Sequence, residues 1–215
     1  MADNKTKANY VKGNSIFLYD SLTRDTTAEI FGDIANMVNK IPQSQKPDSN
    51  VVIESPYDIN NSNAVIDIYI NSSGGGVHTM NSILTFLNIA RNRGAIIRTT
   101  VTGYAASCAS IIAILGTPGY RIMYNSSYQV VHYGNSNIEV SANGEIDLAA
   151  KNEKRIRQDM INKYKTFTNL SSKEIHECMK TEHHAFSAQD CLDKHMCDWI
   201  LTDIGTFIRR SDKQK

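Results

Sequence analysis

The chain has 215 residues, 41% hydrophobic and 21% charged, with a formal net charge of +1 at pH 7. That length and composition fit a globular protein with one core of ordinary size, and the near-zero charge excludes a basic footprint for nucleic acid or anionic membrane. No apolar run reaches the length of a membrane span, and 1-MADNKTKANYVKG-13 lacks the apolar core of a signal peptide.

Taken in chain order, 15-SIFLYD-20 reads as a short strand. Apolar Ile30, Ile34, Met37, Val38 and Ile41 recur at helical spacing across 24–41, with Asp25 or Thr26 as the predicted N-cap. Three of the four prolines fall in 42–63, which reads as a loop or insertion with a small strand at Val51–Ile53. The β-branched run 64-AVIDIYIN-71 predicts a buried strand; it ends in 71-NSSGGG-76 and passes into a helical pattern over 77–94. A second unit repeats the theme: strand 95–101, a turn at Gly103, and a helix from about Ser107 to Leu115. Strand, glycine turn and helix, twice in succession, predict an α/β domain with a largely parallel sheet.

Two short strands follow, 119–124 and 128–132, the second ending in His132. A long polar helix is predicted over 144–167, with Ile146, Ala150, Ile156, Met160, Tyr164 and Phe167 as its apolar side. Ser171 and Glu174 have the spacing of a capping box, and 185–200 reads as a last helix with a final strand or turn. The four cysteines, Cys108, Cys178, Cys191 and Cys197, form no CxxC pair and no Cys/His cluster at metal-site spacing. Reduced thiols, a cytoplasmic location and no metal or cofactor held by this chain are therefore expected.

Chemistry is expected where the two glycine-rich turns meet one sheet edge, because ligands of open α/β sheets bind beyond the strand carboxyl ends. Gly74, Gly75 and Gly76 offer backbone N–H groups to an oxyanion, although neither GxGxxG nor GxxxxGK[ST] is present. Ser107 opens the second helix among small residues, which suits a nucleophile needing room for a substrate carbonyl and equally suits an N-cap in a tightly packed turn. His132, at a strand end near that edge, is the candidate base, since imidazole accepts a serine proton near neutrality. His78, His176 and His195 lie on helical patterns.

Together these stretches resemble the ClpP family of self-compartmentalised serine peptidases, within the ClpP/crotonase fold. The stretch 68-IYINSSGGGV-77 is similar to the family's strand ending in Asn-Ser-Pro-Gly-Gly, with Ser73 in place of proline. The stretch 103-GYAASCAS-110 resembles its nucleophile turn, with Cys108 in place of methionine, and 121-RIMYNSSYQVVHYG-134 its Asn-Ser…Met-Ile-His block. The resemblance implies a domain of repeated strand-turn-helix units over 15–204, carrying the 42–63 insertion and a protruding handle helix over 144–167. It also implies an N-terminal axial segment over 1–14 and a C-terminal tail over 205–215.

By the same resemblance Ser107 is the nucleophile, His132 the general base, and the N–H groups of Gly75 and Cys108 the oxyanion hole. Homo-oligomeric stacked rings, unfolded polypeptide substrates and a AAA+ unfoldase partner are implied as well. The sequence departs from the family at the third triad member: counting back from 186-FSA-188 lands on His183, with Glu182 beside it, and not on an aspartate. Asp190 and Asp193 fall beyond the motif. Three alternatives follow: a non-catalytic subunit of such an assembly, a crotonase-like acyl-CoA enzyme, or a serine–lysine peptidase using Lys151 or Lys154.

Overall fold

The computed structural model describes residues 8–44, 52–59, 63–133, 143–180 and 184–209. The elements in chain order are β1 (Asn9–Lys12), β2 (Ser15–Leu18), α1 (Arg24–Asn39), β3 (Val65–Ser72), α2 (Val77–Asn92), β4 (Ile96–Ala106), α3 (Cys108–Ile114) and β5 (Arg121–Tyr124). There follow β6 (Tyr128–Val130), α4 (Asn143–Phe167), α5 (Ser172–Cys178), β7 (Ala185–Ser187), α6 (Ala188–Asp193), β8 (Trp199–Leu201) and β9 (Phe207–Arg209).

The strands join in the order β1-β2-β3-β4-β5-β8-β9, with β6 branching from β4 and β7 added to β6. Pairings from β2 through β8 along this path are parallel, as is β4 with β6; β1, β7 and β9 add antiparallel. The expected α/β architecture with a largely parallel sheet is therefore present. β3 alternates strictly, with Ile66, Ile68, Ile70 and Ser72 buried and Val65, Asp67, Tyr69 and Asn71 half-buried. The buried face joins one core with Ile30, Ile34, Met80, Leu84, Leu87, Ile111 and Ile112 from α1, α2 and α3. On the opposite face Phe17 stacks between Tyr10 and Tyr69, at centroid distances of 4.4 and 5.1 Å.

β4 is long because it serves two neighbours. Thr99–Val101 pair with β5, whereas Tyr104–Ala106 pair with β6. Between these halves the register against β3 slips: Ile70 faces Val101, but Ser72 faces Ala105. One residue of β3, Asn71, thus stands against three of β4, a bulge that bends and twists the longer strand. The Asn71 side chain fills the gap, its Oδ1 accepting the Tyr104 N–H at 3.2 Å. A Cβ on Gly103 would lie 2.4 Å from that Oδ1, so any other residue there would push the Asn71 amide out of its place.

This corrects the expected turn at Gly103: the strand runs on to Ala106, and the turn falls on Ser107. Other boundaries move for similar local reasons. Thr23, not Asp25 or Thr26, caps α1, and Thr26 completes the capping box as its third residue. Val52 and Ile53 lie in no strand. β6 stops at Val130, two residues before His132. Over 185–200, expected as a helix with a final strand or turn, the helix is confined to α6 after the short strand β7, because Ser187 caps α6 and accepts the Asp190 N–H, and the final strand is β8. His195 is in the turn after α6 with φ 57°, rather than on a helix. The capping box of Ser171 and Glu174 is formed as expected.

α4 spans the predicted stretch, burying Met160, Ile161 and Tyr164 near its end while Leu148 is 61% exposed near its start. Ala150 is exposed and Ile156 half-buried; the Ile146 side chain lies outside what the structure describes. No helix among the described residues is long and apolar enough to cross a membrane.

Two buried arginines tie the layers together. Arg98 on β4 holds Asp67 on β3 through two bonds of 2.6 and 3.0 Å, and lies 4.3 Å over the Tyr57 ring, fixing the 52–59 segment to the sheet. Arg121 on β5 grips Asp198 through Nε and Nη2, at 2.9 and 2.6 Å. Its Nη1 donates to the carbonyls of Phe167 and His195 at 3.0 and 2.9 Å and faces that of Ile114 at 3.4 Å. Removing one partner of such a pair strands the other charge in the interior. Asp198→Ala is expected to destabilise the fold by about 3 kcal/mol in urea titrations, far more than removal of an exposed aspartate.

Candidate active site

The two glycine-rich turns expected to share a sheet edge are in contact. Gly74 packs directly against the second turn: a Cβ there would lie 2.3 Å from the Ala106 carbonyl oxygen and 2.9 Å from both Cys108 N and Ser107 Cβ. Its φ of 83° also lies where side chains are disfavoured. The loop is held from the other side by Leu22, whose N–H donates to Gly74 O at 2.6 Å and whose carbonyl accepts the Gly76 N–H at 2.8 Å. Ser72 Oγ accepts the Gly74 N–H at 3.1 Å, which leaves Gly75 between two fixed neighbours.

Ser107 itself is one of two described non-glycine residues with positive φ, at φ 53° and ψ −124°. A backbone in that region costs on the order of 1–3 kcal/mol and persists only where its surroundings impose it. Here they do: the Ser107 N–H donates to Val130 O at 2.9 Å, Gly74 packs on its Cβ, and α3 follows at once. The side chain makes no capping bond to α3, which removes the N-cap reading. Ser107 is half-buried at a sharp strand-to-helix turn.

Burial pushes the Cys108 thiol up to about 11, a shift that the neighbouring Ser107 side chain and Gly75 backbone oppose. Ser107 Cβ and the Cys108 backbone nitrogen both lie against Gly74, next to Gly75 in the chain. His132 is half-buried and follows β6, the strand paired with the end of β4. The residue before it, Val131, donates its N–H to His184 O at 3.2 Å. Both other candidates for the triad, Glu182 and His183, lie outside the described residues.

Asp190 is engaged in the α6 cap with Ser187, and Asp193 pairs with Gln189 at 3.0 Å on the same helix. Lys151 and Lys154 are exposed in the first half of α4, and His78 and His176 are exposed on α2 and α5.

The family model described as Clp protease matches residues 51–203. This chain belongs to the Clp protease family. Over 143 residues it is 32% identical to the ATP-dependent Clp protease proteolytic subunit of Leuconostoc citreum, covering 65% of this chain and 68% of that relative. The subunit of the same name from Porphyromonas gingivalis is 28% identical over 138 residues, covering 63% of this chain and 59% of the relative. The ATP-dependent Clp protease proteolytic subunit 2 of Streptomyces coelicolor is 24% identical over 137 residues, 64% of this chain and 61% of its own length. The chain thus spans about three fifths of the length of the last two relatives.

Two features of this Clp protease site escaped sequence reasoning. Gly74 stood out only as part of a triplet, whereas its role is to admit the backbone of the Ser107 turn. A buried side-chain pair beneath that turn, Ser110 Oγ donating to Gln129 Oε1 at 2.8 Å, went unnoticed. The available signal was a glutamine inside the apolar run 128-YQVVH-132 and a serine inside 108-CASIIAIL-115.

Two outcomes follow from the packing. Gly74→Ala is expected to lower stability by ~2 kcal/mol or more, measured by thermal melting, because both the φ and the 2.3 Å approach forbid a Cβ. All four cysteines are free and buried, and burial raises each thiol, Cys178 to about 11 and Cys191 and Cys197 likewise upward. Near pH 8 a thiol at about 11 is roughly 0.1% thiolate. Iodoacetamide should therefore add nothing to the native chain by intact mass, and four adducts after unfolding in urea.

Proposed function

We propose that this chain is a serine endopeptidase of the Clp type that cleaves unfolded polypeptides through an acyl-enzyme. The observation that carries this reading is the strained Ser107 turn, with Gly74 packed directly against Ser107 Cβ and the Cys108 backbone nitrogen. Ser107 Oγ attacks the scissile carbonyl carbon while its proton passes to His132. The carbonyl oxygen takes up the negative charge and is held by the two N–H groups, which cost no reorganisation because the backbone is already fixed. Collapse of the tetrahedral intermediate breaks the C–N bond, and His132 returns the proton to the departing amine. Water, deprotonated by His132, then releases the acyl group from Ser107.

Glu182 or His183 orients His132 in this reading, since His184 anchors the chain just after them beside Val131. Where an orienting carboxylate is lost and the wrong tautomer results, rates fall by about four decades. This favours a second reading, a non-catalytic subunit within a Clp assembly. Homo-oligomeric rings and a AAA+ unfoldase partner belong to the proposal too. The relatives' names describe proteolytic subunits of an ATP-dependent protease, and Leu148 on α4 offers an exposed apolar contact for another copy.

A fluorophosphonate probe followed by intact mass separates the readings. The peptidase reading expects one adduct on the wild-type chain and none on Ser107→Ala, with labelling of His132→Ala slowed by at least about 100-fold. A folded, assembled wild-type chain that takes no adduct would establish the subunit reading instead.

A further inference from the structure

The strained turn needs a restraint on its helical side as well as on its strand side. At φ 53° Ser107 would gain by relaxing, and the turn lies between α3 and the end of β4 that pairs with β6, so α3 and β6 must be held against each other. The backbone bond from Ser107 N–H to Val130 O restrains the turn itself, and Thr99 Oγ1 bonding Ala113 O at 2.9 Å restrains the far end of α3. One turn into α3, the restraint is the bond from Ser110 Oγ to Gln129 Oε1.

Both residues of that bond are fully buried, and Gln129 lies between the β4 pairing and the β7 pairing of β6. Tyr164 of α4 closes the pair from behind, its hydroxyl fully buried beside Ser110. Among the described residues the Gln129 amide nitrogen donates to the weak acceptor Met123 Sδ, at 3.4 Å. Two polar side chains in an apolar interior are costly to keep, and a buried polar pair fixes one arrangement of its elements against others.

We propose that Ser110 and Gln129 are positioning residues for the peptidase reaction. Their bond locks α3 to β6 and so holds the Ser107 hydroxyl in register with His132, which follows Gln129 on the same segment. The inference rests on the assignment of Ser107 and His132 made above.

The test compares wild type with Ser110→Ala, Gln129→Leu and the double variant, using the full chain. Three quantities are read: the rate of acylation by a fluorophosphonate, kcat and KM for a fluorogenic peptide, and the melting temperature. Each single variant leaves a buried polar group unpaired and should melt lower, while the double variant, apolar on both sides, regains most of the loss. Acylation should fall about 10-fold in both single variants and stay that low in the double variant, with kcat reduced and KM unchanged. Recovery of the acylation rate together with the melting temperature in the double variant would mean that the pair only packs, and overturns the inference. So would single variants that acylate at the wild-type rate. A wild-type chain that takes no label at Ser107 overturns the peptidase reading itself, and this inference with it.

Discussion

The site depends on one mismatch between two strands. Asn71 of β3 stands opposite three residues of β4, and that slip turns the end of β4 away from β5 and onto β6. Without it β4 would continue beside β5, and Ser107 would emerge beside the strand that carries Arg121 instead of beside the segment that carries His132. The mismatch is stabilised by chemistry: an asparagine amide replaces the missing ladder acceptor, and a glycine opposite leaves room for it.

Once β4 has been turned, the remaining parts interlock. Gly74 enters the space behind the Ser107 turn, Leu22 clamps the glycine loop from the outside, and the Val130 carbonyl takes the Ser107 N–H. The conformational strain at Ser107 is thereby imposed by several rigid contacts at once, rather than by one that thermal motion could release. On the proposed peptidase reading, the Ser107 turn and the Gly75 and Cys108 N–H groups would be organised before a substrate arrives, the condition under which fixed dipoles lower a barrier most.

The sequence made parts of this legible for identifiable reasons. Ser107 and the triple glycine each also suit plain packing turns, and only the three motif blocks taken together singled them out, whereas the repeated strand-turn-helix rhythm by itself pointed to the parallel sheet. Gly103 misled because a glycine between a β-branched run and alanines looks like a turn, when its function is to pass beneath Asn71. β7 was missed because three residues give too little alternation to separate a strand from the adjacent helix. The Ser110–Gln129 pair was invisible for a different reason: each is an isolated polar residue in an apolar run, and only the folded register brings them together.

Arg121 gathers the carbonyls that end α3 and α4, together with that of the turn after α6, around one guanidinium neutralised by Asp198. A ribosome delivers these partners in sequence, so the nucleophile turn leaves the exit tunnel long before the carboxylate that balances the charge beneath it. The layer behind Ser107 therefore reaches its final form only when the last strands have emerged. On the peptidase reading, a nascent chain built in this way would not acquire an ordered active site while the rest of its own length is still unfolded within reach.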